Sequence, residues 1–80
     1  MSKEEILKSE LYKKISNFSM EERAVALFGK FKPKIENEFN IKIIKVPYSD
    51  LGSIDKSLIA LAIKEPFSPN VDLAVFYPNN

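Results

Sequence analysis

Apolar residues recur every three or four positions through the first half of the chain, then give way to short continuous apolar runs. Leu7, Leu11, Ile15 and Phe18 follow at spacings of four, four and three, one stripe of an amphipathic helix. Ser2 and Glu5 stand before it at capping-box spacing, so the pattern predicts a helix from about residue 3 to 16 that stops at Asn17. Lysines 3, 8, 13 and 14 lie mostly off the stripe. Ser19 and Glu22 repeat the capping spacing, and Met20, Ala24, Leu27, Phe28, Phe31, Ile35 and Phe39 carry a helical period as far as Asn40. Pro33 interrupts this second helix, because it cannot donate to the Gly29 carbonyl and its ring crowds that group. Either a kink results, or a break in which Pro33 opens a further segment. Asn40 suits a left-handed stop.

From Ile41 the texture changes. Ile41-Lys42-Ile43-Ile44-Lys45-Val46 is rich in β-branched residues and ends at Pro47, which predicts a strand. Its apolar residues fall on both faces, Ile41 and Ile43 on one and Ile44 and Val46 on the other. Tyr48 to Lys56 reads as a loop, with Asp50, Gly52 and Ser53 as turn formers. The run Leu58 to Ile63 fits a buried strand or a buried helix. As a strand it sorts into a large face (Ile59, Leu61, Ile63) and a smaller one (Leu58, Ala60, Ala62). Pro66, Pro69 and Asn70 mark a turn, and Val71 to Tyr77 forms the last strand.

The expected fold is therefore α+β: two N-terminal helices, the second kinked near Pro33, packed on a three-stranded antiparallel sheet. A meander is preferred, because residues 58–63 and 71–77 share one texture across a turn that suits a hairpin. The alternative is ααβαβ, with residues 54–64 helical inside a parallel βαβ unit.

Composition narrows this further. Eighty residues make a single domain, 1–80, that buries only roughly 60–65% of the surface its unfolded chain exposes. No cysteine staples it, so stability comes from packing, from a partner, or from both. The opening Met1-Ser2-Lys3-Glu4-Glu5 puts carboxylates where a signal peptide is apolar, and no run approaches the ~20 apolar residues of a membrane span. A cytoplasmic setting without a membrane partner is the expectation. Net charge is +1 and Arg23 is the sole arginine, so no global field draws the chain to nucleic acid.

Histidine is absent along with cysteine, which removes the commonest general base, the commonest nucleophile pairs and the usual transition-metal ligands. Gly29-Lys30 has Ala24 where a phosphate-binding loop needs its first glycine. Asp50 and Asp55 read as turn formers, and Glu36 and Glu38, two apart, face different ways on a helix. Gly52-Ser53 would offer backbone donors to an anion only if residues 54–64 were helical. No enzyme, cofactor or metal is expected.

Two binding readings remain. Lys30, Lys32, Lys34, Lys42 and Lys45, with Phe28 and Phe31 beside them, could grip phosphates and stack bases of a nucleic acid. The preferred reading rests on the two-faced strands. A sheet backed by one helical layer should alternate, so either the helices cover both faces or one face meets another chain. That makes the chain a non-enzymatic protein-binding module of regulator or inhibitor type, with a homodimer as one form. Tyr48, Phe67, Phe76 and Tyr77 are the candidate anchors, since aromatics dominate such interfaces.

Overall fold

The computed structural model describes residues 2–79. Four short helices, α1 (Lys3–Lys8), α2 (Glu10–Ser16), α3 (Met20–Phe28) and α4 (Lys32–Phe39), precede three strands, β1 (Ile41–Pro47), β2 (Ile59–Ile63) and β3 (Asp72–Pro78). A 3₁₀ segment, Tyr48–Ser53, follows β1. The expected α+β class, helices first and antiparallel sheet after, is what the chain adopts.

Each expected helix is divided in two. Ser9 breaks the first: its backbone is extended, its hydroxyl donates to the Ile6 carbonyl at 2.8 Å and accepts from the Tyr12 N–H at 3.1 Å. It thus closes α1 and caps α2, the local competition that makes serine a poor interior helix residue. As a result Ile6 is buried and Leu7 is partly exposed, although the periodicity puts Leu7 on the stripe. The second break lies at Gly29–Phe31, with Pro33 in the first turn of α4, so the chain takes the break and not the kink. Gly29 is required there, because a Cβ would collide with the Val25 carbonyl oxygen. Ser19 and Glu22 form the reciprocal capping box, and Asn40 ends α4 in the left-handed conformation at φ 54°.

The sheet order is β1-β3-β2, all antiparallel. The last strand is therefore central, and the meander's β1–β2 pairing is not made. Leu73, Ala74, Val75 and Phe76 are four consecutive buried residues, and a strand apolar on both sides belongs in the middle. Ile43, Phe76 and Ile59 stand in register on one face; Ile44, Val75 and Ala60 on the other. Ile41, Ile43, Ala74, Phe76, Ile59, Leu61 and Ile63 meet Ile6, Ile15, Ala24, Leu27, Ile35 and Phe39 of the helices in the core. Tyr12 meets the Phe76 ring edge-on, with centroids 6.4 Å apart. Burial raises the Tyr12 pKa above the ordinary phenol value, partly offset by the nearby Arg23 charge.

β1 and β2 run parallel with β3 between them, so residues 48–58 must cross the sheet. The register and the right-handedness of such crossovers put this segment on the face away from the helices. The burial of Leu73 and Val75 on that face agrees. Ile44 stays 38% exposed there, so the cover is thin.

Each outer strand has an outward backbone group bonded by a side chain from the helical layer. Glu36 on α4 accepts the outward N–H of Ile43 at 2.8 Å. Arg23 on α3 donates to the outward carbonyl of Ala62 at 2.8 Å and to Ser16, at the end of α2, at 2.7 Å. Hydrogen bonds from a charged group contribute about 1.5–3 kcal/mol each. Arg23→Ala is therefore expected to cost about 2–4 kcal/mol in urea unfolding, and Arg23→Lys, which has one donor point in place of a fork, most of that.

The capping box makes stability depend on pH. The Ser19 N–H bonded to Glu22 lowers the Glu22 pKa below the ordinary carboxylate value. A lowered folded pKa contributes stability above the unfolded pKa, and that contribution is lost as pH falls through the folded one. Glu22→Gln is thus expected to lose less melting temperature than wild type between neutral and acid pH.

Candidate functional site

Two features of the surface stand out from the frame just described. The first is the turn between β2 and β3. Its stem is fixed: the Lys64 N–H donates to Met20 at the start of α3 at 3.2 Å, and Glu65 pairs with Lys45. The hydrogen bond that Lys45 donates to Glu65 raises the Lys45 pKa above its ordinary value. The Ser68 N–H then donates to the Glu65 carbonyl at 3.1 Å, closing a β-turn with Pro66 and Phe67 at its centre. Beyond it, the Ser68 hydroxyl accepts from the Asn70 N–H at 3.2 Å.

Phe67 sits at the third turn position with φ 65°. A type II turn requires positive φ there, which glycine or asparagine adopts easily and an aromatic residue rarely does. The left-handed conformation costs roughly 1–2 kcal/mol for an ordinary L-residue. Nothing local repays this, because the ring is fully exposed (104%). A strained, exposed aromatic on a fixed stem is a feature that folding alone does not explain.

The second feature is a groove of about 700 Å³ on the outer side of the helical layer. Leu11, Ile15 and Phe18 line it from α2 and the residues after it, Val25 and Ala26 from α3, Phe31 and Ile35 from the start of α4. Ile15 and Ile35 are buried at its floor, whereas Val25 (61%) and Phe31 (50%) stand exposed on its walls. Lys14, Lys34, Glu21, Glu22 and Glu38 ring the rim.

Of the four aromatic anchors read from the sequence, the structure leaves three accessible. Phe67 is the most exposed, Tyr48 is 48% exposed in the 3₁₀ segment, and Tyr77 is half-buried on the far face of β3. Phe76 is a correction. It is 2% exposed on the helix face of β3, its ring 6.5 Å from that of Phe39, so it is core and unavailable to a partner. The sequence suggests it because β3 is apolar on both sides; the register decides which side faces the helices.

The five lysines do not form one track. Lys42 and Lys45 point to opposite faces of β1, and Lys45 is paired with Glu65. Lys34 lies on the groove rim. Lys30 and Lys32 fold over the rings of Phe31 and Phe28, at 5.4 and 5.7 Å from their centroids. Lys32 and Lys42 share a shallow depression with Glu36, Asn37, Asn40 and Asn79.

Residues 59–63 are a strand, so Gly52-Ser53 does not precede a helix and its backbone donors have no helix N-terminus behind them. Asp50 and Asp55 act in turns: the Ser53 hydroxyl donates to the Asp50 carbonyl, and Asp55 accepts the Ser57 N–H at 2.8 Å, which lowers the Asp55 pKa. Among the described residues no group of three or more acidic side chains gathers closely enough to hold a metal ion. No helix among them is long and apolar enough to cross a membrane.

Missed at the sequence level were Val25, which lies off the apolar stripe, and the strain at Phe67. Pro66 directly before Phe67 and Ser68 after it was the available signal, since proline favours the second position of such a turn. Comparison of the chain with protein-family models, with curated protein sequences and with solved structures finds no match in any of the three.

Proposed function

We propose that the protein is a non-enzymatic binding module, of regulator or inhibitor type, that acts in the cytoplasm by inserting Phe67 into an apolar pocket of another protein. The observation that carries this reading is the combination at Phe67 of positive φ and full exposure. An asparagine or glycine would close the same turn at lower cost, so the aromatic ring is kept for something outside the chain. Burying a phenylalanine ring in a partner removes about 150–250 Å² from water, and such rings are frequent hot spots. The fixed stem lowers the ordering cost of binding. Tyr48 and Tyr77 remain as accessory anchors.

Phe67→Asn separates binding from folding. The variant is expected to be as stable as wild type or about 1 kcal/mol more stable, since asparagine tolerates the left-handed region. Affinity capture with wild-type and variant chains, each checked by thermal melt, reads the rest. A protein retained by wild type and lost with Phe67→Asn supports the reading. Capture that is indifferent to the change, or a variant that melts well below wild type, overturns it.

A further inference from the structure

The helical groove has no role in the reading just given, and its chemistry points to a different occupant. We infer that a second copy of this chain covers it, through a two-fold contact in which α4 runs antiparallel to its symmetry mate.

The rim carries both signs of charge in one patch. Lys34 and Glu38 stand one helical turn apart on α4, yet they form no ion pair with each other. Their order, lysine before glutamate, is the weaker one for a pair within a helix. Among the described residues the ion pairs join Lys13 to Glu10 and Lys45 to Glu65, so no rim charge is engaged in one. A two-fold axis passing beside α4 between these two positions sets each Lys34 opposite the other copy's Glu38. A partner helix of a single charge sign would match one set of rim charges and oppose the other. An isologous contact brings Lys34 and Glu38 together twice, so each of these two charges meets its complement.

Shape agrees with charge. Val25 and Phe31 project beside a hollow floored by Ile15 and Ile35, so one patch contains both a ridge and a recess. Self-complementarity of that kind is what a two-fold interface requires. Val25 and Phe31 are also two of the most exposed large apolar side chains of the helical layer, and an exposed apolar patch on a soluble chain marks an interaction surface.

Sedimentation velocity over a concentration series tests this on the intact chain. Wild type is expected to rise from monomer toward twice the monomer mass as concentration increases. Lys34→Glu and Glu38→Lys change exposed positions, so both are expected to keep the wild-type circular dichroism spectrum and melt. Each alone places like charges together twice across the axis and is expected to weaken self-association at least tenfold. Mixed in equal amounts, the two are expected to associate again, because one variant then sets two carboxylates against the two ammonium groups of the other. Val25→Glu is expected to hold the chain monomeric, while Phe67→Asn leaves the dimer unchanged, so this contact and the Phe67 reading fail separately. A wild type that stays monomeric throughout overturns the inference. So does a dimer indifferent to Val25→Glu, or a mixture of the two charge variants that does not associate.

Discussion

With the last strand in the middle, the sheet has two outer edges, and on each a charged side chain of the helical layer bonds one outward backbone group. Glu36 accepts from Ile43 on one side, and Arg23 donates to Ala62 on the other. These bonds satisfy polar groups that would otherwise invite another strand. They also fix the helices to the sheet from both ends: Arg23 joins α2, α3 and β2 in one guanidinium, and Glu36 joins α4 to β1. In the core between the layers Ile43, Phe76 and Ile59 stand in register and face the helices.

Among the described residues Phe67, Val25 and Phe31 are the most exposed large apolar side chains. They stand in two places, a strained turn that displays Phe67 and a helical groove walled by Val25 and Phe31. The two are chemically unlike. The turn offers a single aromatic ring with no charge pattern of its own, whereas the groove is an apolar hollow ringed by opposite charges.

Much of the fold was legible in the sequence because it is decided locally. The capping residues and the β-branched run at Ile41 each act over a turn or two and stand where the pattern puts them, and Pro33 marks the interruption, although as a break between α3 and α4 where the expected fold had a kink. Strand order was not legible in that way, since pairing Ile43 with Phe76 is a choice between distant segments. The same limit misplaced Phe76, whose two-faced strand gave no sign of which side was core. Ser9 was missed for another reason: a stripe of leucines at helical spacing continues across a residue that ends one helix and starts the next. Arg23 was visible as the sole arginine, but its two carbonyl partners lie 7 and 39 residues away.

Residue-resolved amide hydrogen exchange in the free protein probes the tie between the helical layer and the β1 edge most directly. Ile43 and Lys45 both turn their amides outward from β1, and only the Ile43 amide meets the Glu36 carboxylate. The Ile43 amide is expected to exchange slowly, on the scale of the central β3 amides, and the Lys45 amide much faster. Replacing Glu36 with alanine should bring Ile43 to the Lys45 rate. An Ile43 amide that already exchanges as fast as that of Lys45 in the wild-type chain would mean that Glu36 does not hold this edge to the helical layer.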